Sequence, residues 1–380
     1  MNAPAVTDDR ARGWLHSAAV DAVIAFGWLA FYAWLCTTPL VQLGGTPGDK
    51  PYRQAFENAA LVALAINFIH RHFVWLLFFG DADQRARHPR AVWLAPVVVV
   101  VVAAAKLAPA AAFDAVFILL GAWNIWHTVM QRHGIFRAYA AKSSSSSSSS
   151  ARGPARRDLA LVWSLVLLTA GVVIAFDQDT FWGPAKRAWL GIPFVPAHRE
   201  AQLAILAVGC LAVVVAGAMW LRGELAASVH VRASRWPRWL FLASTIALLG
   251  VFALHGPIVG FIVFSVAHSV EYIVFVHVFT RRRAIAHNPP WGVRLLGRRA
   301  LLVLVSAVLL GAFALAHEVW TVPLFVVYYA ATSALHYLYD GLIWKIRRPE
   351  VRAQIVDVAA SELASDRASE LASDLGTVGA

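Results

Sequence analysis

Charge and cysteine are both scarce in this 380-residue chain: 14% of its residues are charged and two are cysteine. A soluble domain carries about a quarter charged residues, so an ordinary cytosolic enzyme is excluded. Cys36 and Cys210 each fall inside an apolar run, which leaves neither a disulfide framework nor a thiolate metal site. No basic stripe interleaved with aromatics is present. The net charge of +11 therefore does not indicate nucleic acid, because Lys and Arg cluster in short segments between apolar runs. No cleavable signal peptide is expected either, since the first apolar run follows a polar, mixed-charge leader without a small-residue cleavage site.

What is present is hydrocarbon. Hydrophobic residues make up 59% of the chain, and they come in runs of about twenty, the length that spans a bilayer as a helix. The expected fold is an all-α polytopic transmembrane bundle of about ten spans, near 18–37, 56–79, 91–112, 113–130, 159–176, 201–221, 239–255, 257–280, 300–316 and 321–344. The third and fourth abut at Phe113–Asp114, and Pro257 separates the seventh from the eighth. A leader (1–17) precedes this transmembrane domain (18–344), and a tail (345–380) with a repeated octad, ASELASDR then ASELASDL, follows it. The inner loop 140–158 holds an unbroken serine run, Ser143–Ser150, expected to be a flexible linker.

With both termini inside, the inner segments carry 25 Lys and Arg and the outer ones about 6. That is the positive-inside bias of a multi-pass protein. A bacterial cytoplasmic membrane is the expected location.

Ionisable groups within spans are costly and usually functional. His70 and His72, His127, His268 and His336 fall in the inner halves of four chain-distant spans, which places imidazoles at similar depth. Helical spacing puts companions on the same faces: Asn67 with His70, Asn124 and Gln131 with His127, Glu271 with His268, Asp340 with His336. Ligands projecting inward from several helices are what a bundle needs to hold a metal, and an amide or carboxylate beside each imidazole can fix its tautomer. His70, His127, His268 and His336 are the expected ligands, with His72 as a possible second ligand on its helix. Asn67, Asn124, Gln131, Glu271 and Asp340 are expected to orient them. Neutral imidazole without thiolate suits iron first, with zinc or copper as alternatives. Asp21 is a candidate ion-pair partner for Arg71, and His133 for lipid headgroups.

The clustered HxxxH and HxxHH boxes of membrane di-iron desaturases are missing. The patches AHSVEYIVF around His268, LHYLYDG around His336 and INFIHRHF around His70 instead resemble the bacterial integral-membrane β-carotene-cleaving dioxygenases. That resemblance implies one iron held by four histidines from separate helices. The PHG-and-D pattern of that family's first helix is absent, LHSAAVD (15–21) being a distorted counterpart, so the substrate is not carried over.

The leading expectation is an intramembrane non-haem iron oxidoreductase that uses dioxygen on a lipophilic substrate of isoprenoid, fatty acyl or quinone type. Three others compete with it. A proton-coupled transporter would use the same His, Asp and Glu residues, a bis-His haem protein would show a Soret band, and a structural scaffold would bind nothing.

Overall fold

The computed structural model describes residues 13–41, 50–143, 152–176, 199–226, 235–284 and 289–345, with Arg348, Val351 and Ile355 beyond them. Every regular element among these residues is a helix. In chain order they are α1 (Ala18–Phe26), α2 (Trp28–Cys36), α3 (Lys50–Phe79), α4 (Ala82–Arg87), α5 (Pro89–Val92), α6 (Leu94–Leu107) and α7 (Ala110–Lys142). There follow α8 (Arg152–Phe176), α9 (Arg199–Leu225), α10 (Trp236–Arg283), α11 (Trp291–Gly297), α12 (Arg299–Val319) and α13 (Val322–Ile343). Helices satisfy their own backbone polar groups, which hydrocarbon cannot do for them.

Seven helices are long and apolar enough to cross a membrane, or eight if α1 and α2, bent by 43° at Gly27, make one span. The helix α13 is not among the seven. It carries Thr332, Ser333, His336 and Asp340, which dilute its apolar run, and all four are buried in the bundle. The helices around it show the opposite pattern. The most apolar windows of Pro89–Leu107, α7 and α12 are only 11%, 6% and 11% buried, so Val100, Leu119 and Val303 face outward, as lipid-facing residues do.

Helix α10 joins the seventh and eighth expected spans. Its 48 residues would reach about 72 Å if straight, more than twice the roughly 30 Å of bilayer hydrocarbon. It breaks at Gly256, where φ is 75°, a backbone conformation open to glycine, and Pro257 follows.

Two expected boundaries are corrected. The third and fourth spans part at Ala108–Pro109, where Ala108 is extended and neither residue is helical, and not at Phe113–Asp114. Proline disfavours helix in the residue before it, whereas Asp114 stays within α7. The fourth span also runs on to Lys142, so Arg132 and His133 lie on a helix and not in a loop. The leader's first twelve residues, all but the first of the serine run and the octad lie outside the described residues.

Close packing holds α8 to α9. A Cβ on Gly171 would stand 2.8 Å from Leu206 Cα, and one on Gly209 would stand 2.8 Å from Leu168 Cα. Small residues let backbones approach in this way where no hydrophobic effect drives association. At the start of α10, Arg238 pairs with both Asp158 and Glu224, and Asp158 also takes Arg137 at 2.9 Å. The helix α10 packs on α3 and α7, and α13 packs on α3, α6 and α7. Thus α3, α7, α10 and α13 surround one interior volume.

Candidate metal centre

Each of these four helices sends one imidazole into that volume. The ring centroids form a closed circuit: His70 to His268 is 4.9 Å, His268 to His127 5.3 Å, His127 to His336 4.9 Å and His336 to His70 4.6 Å. Across the circuit, His268 and His336 are 6.1 Å apart. None of the four is more than 7% exposed.

The tautomer of His70 follows from its neighbours. Ser269 Oγ donates its only proton to the Ser265 carbonyl at 2.8 Å and lies 2.9 Å from His70 Nδ1. With its proton on Ser265 that oxygen accepts from Nδ1, the arrangement in which His70 Nε2 presents a lone pair. That Nε2 faces His336 Nε2 at 3.2 Å. Two ligands of one ion, each at about 2.1 Å and at right angles, stand about 3 Å apart.

Asp340 completes the cluster. Its Oδ1 accepts the Tyr272 hydroxyl at 2.7 Å and Trp344 Nε1 at 3.0 Å. Its Oδ2 lies 3.4 Å from His336 Nε2 and 3.5 Å from His127 Nε2. Both of its oxygens are therefore placed by the protein, one of them beside two imidazole nitrogens. Two overlapping groups have ligand atoms all within 4.8 Å of one another: His70, His268 and His336, and His127, His336 and Asp340. Both ring nitrogens of His268, Nε2 of His127 and Nδ1 of His336 are buried without a hydrogen-bond partner. Unsatisfied buried polar atoms cost free energy and call for an explanation. A cation at the centre supplies one for the inward-facing nitrogens.

The structure gathers His70, His127, His268, His336 and Asp340 but not every residue the sequence suggests. His72 stands apart, with Nδ1 2.6 Å from Phe68 O and Nε2 2.6 Å from Tyr328 Oη. Two residues along a helix turn it about 200° from His70, so both its nitrogens are engaged elsewhere. Glu271 does not orient His268. It pairs with Arg132, which is 2% exposed and needs a counter-charge. Asn67 serves Ser265 and Arg71 and reaches His70 only through the two serines. The Asn124 carbonyl accepts from the Thr128 hydroxyl, and Gln131 donates to the His268 carbonyl at 3.4 Å, so neither is bonded to an imidazole.

Asp340 differs from expectation in role. A carboxylate that only orients a ligand bonds the far N–H, whereas Asp340 faces Nε2 of both histidines. The suggested Asp21–Arg71 pair does not form: Asp21 accepts the Leu15 N–H at 2.7 Å. His133 is half-buried on α7. Sequence reasoning missed Ser269 and Tyr272. They adjoin His268 and Glu271 in the chain, but they act on His70 and Asp340 from other helices.

Comparison with protein-family models, with curated proteins and with solved structures finds no match. The functional reading therefore rests on the chemistry of the site.

Proposed function

We propose that this chain is an intramembrane non-haem iron oxidoreductase acting with dioxygen on a lipophilic substrate that enters from the bilayer. The observation that carries the reading is a pair of overlapping buried ligand groups, His70, His268 and His336 with His127, His336 and Asp340, in which Nε2 of His127 and both nitrogens of His268 have no hydrogen-bond partner. The donor set favours iron. His127, His336 and Asp340 form a two-histidine, one-carboxylate group, the pattern of non-haem iron oxygenases, and His70 and His268 add two further imidazoles. Both cysteines are exposed, so no thiolate competes. Zinc and copper are the alternatives the same donors allow. The histidine patches that resemble the membrane β-carotene-cleaving dioxygenases agree with this reading.

Bound iron would supply activation of dioxygen. The chain's own groups hold and orient it. Ser269 holds His70 through Nδ1, while Tyr272 and Trp344 hold Asp340 through its Oδ1. Burial of the cluster keeps water away, which suits chemistry on a hydrocarbon. The reading includes the orientation with both termini inside and a bacterial cytoplasmic membrane as the location.

Proton transport is less well supported, because it needs a polar path to the outer face. Beyond the cluster, the buried positions on α3 between Lys50 and Asn67 are Ala55, Ala59 and Ala63, and those on α10 between Gly256 and Ser265 are Pro257, Val259, Gly260, Ile262 and Val263, with no polar side chain among them.

The test is oxygen uptake by iron-loaded protein in detergent, supplied in turn with a fatty acid, a quinol and an isoprenoid. Uptake with one class that is lost in His336→Ala supports the proposal. Uptake that is unchanged in His336→Ala contradicts it.

A further inference from the structure

Three arginines among the described residues are buried to 4% exposure or less: Arg71, Arg132 and Arg238. Two have carboxylate partners, Glu271 for Arg132 and both Asp158 and Glu224 for Arg238. Arg71 is the exception. It follows His70 on α3, and its Nε donates to Asn67. Its Nη1 donates to the Tyr329 carbonyl at 2.9 Å and to Ser333 at 2.8 Å, with Thr332 at 3.4 Å. The Tyr329 ring lies 3.4 Å from its Cζ. Every one of these partners is neutral.

A guanidinium has five N–H groups. Among the described residues those on Nε and Nη1 have acceptors, whereas none accepts from Nη2, with its two N–H groups. An arginine in hydrocarbon without a counter-ion is expensive, and such residues usually mark a ligand path. Among the described residues no carboxylate pairs with Arg71. Asp21 is engaged at Leu15, and Asp340 is held by Tyr272 and Trp344.

We propose that Arg71 anchors the carboxylate of a long-chain lipophilic acid, with Nη2 donating to it beside the metal centre. This rests on the reading that the centre acts on a lipophile, and it selects the fatty acyl class from the three. One carboxylate brings one negative charge to one uncompensated positive charge. A phosphate monoester brings about −1.5 to −2, too much for a single cation in hydrocarbon. An alcohol or a quinone offers an acceptor but leaves the charge unpaired. The wall that would line the chain is aromatic: Tyr329 stacks on Arg71, and Tyr337 stands 4.7 Å from the His127 ring and 5.5 Å from Trp123.

The experiment compares binding of palmitate, hexadecanol and chloride to iron-loaded protein in detergent, with iron content measured on the same samples. The wild type is expected to bind palmitate at least tenfold more tightly than hexadecanol. Arg71→Gln should lose that preference without losing iron, and Arg71→Lys, which keeps the charge, should retain part of it. Equal binding of acid and alcohol to the wild type overturns the proposal, as does a preference unchanged in Arg71→Gln. Displacement of palmitate by chloride at equal concentration also overturns it, in favour of a small inorganic anion. Should Arg71→Gln fail to fold, the wild-type ratio and the lysine variant decide. Iron without a palmitate preference removes the anchor and leaves the metal centre. A palmitate preference in protein that binds no iron does the reverse.

Discussion

His70 and His336, 266 residues apart in the chain, bring their Nε2 atoms to 3.2 Å inside the bundle. Two neutral imidazoles this close share one hydrogen bond at most, and both nitrogens of His268, Nε2 of His127 and Nδ1 of His336 have no hydrogen-bond partner. His336 belongs to both candidate ligand groups. His336→Ala is therefore expected to abolish metal binding, whereas His72→Ala, which removes a ring bonded to Phe68 and Tyr328, should leave the stoichiometry unchanged. Elemental analysis of the two purified variants checks both. Equal metal loss in each would contradict the assignment of ligands.

Ser269 Oγ lies 2.9 Å from His70 Nδ1, the ring nitrogen opposite the one that faces His336. Groups that orient a ligand in this way typically matter about 10- to 100-fold in metal affinity. Ser269→Ala should weaken metal binding by that order while the helices stay folded, and competition with a chelator measures it. An affinity within twofold of wild type would show that Ser269 does not act through the metal.

Arg132 and Glu271 form an ion pair that joins α7 to α10, with both side chains almost fully buried. Glu271→Leu alone strands the arginine and should cost about 3–5 kcal/mol. The double variant Arg132→Leu, Glu271→Leu should recover most of that loss, because a buried pair and a packed apolar pair are often close in stability. Thermal unfolding in one detergent compares the three proteins. A double variant no more stable than Glu271→Leu would show that the pair does more than neutralise charge.

His16 lies ahead of α1, and burial, with Arg282 and Lys142 nearby, lowers its pKa from 6.5 to about 3. The folded chain therefore keeps this ring neutral, while the unfolded chain takes up a proton near pH 6.5. Its contribution to stability is full above pH 6.5 and is lost as pH falls towards 3. Melting at pH 7 and at pH 4.5 should show a drop in the wild type and a smaller drop in His16→Gln. Identical drops would assign the acid sensitivity to other groups.

Much of the centre is legible in the sequence because helical geometry is local. The depth of His70, His127, His268 and His336 follows from counting residues along apolar runs, and the shared face of His336 and Asp340 follows from their spacing of four. The partnerships between helices do not follow. Glu271 shares a face with His268 but is taken by Arg132, which lies beyond a fourth span that ends at residue 130 by hydrophobicity alone. Ser269 adjoins His268 and acts on His70, a relation that exists only once α10 packs on α3. The helix break at Ala108 was legible in principle. Proline restricts the residue before it, and that outweighed the charge of Asp114 as a boundary signal.

Iron content and the visible spectrum of protein purified in detergent, with ferrous iron supplied, test the central claim most directly. The account predicts near-stoichiometric iron without a Soret band, and its loss in His336→Ala. Protein that binds no metal after reconstitution, or whose iron arrives with a Soret band, would contradict it.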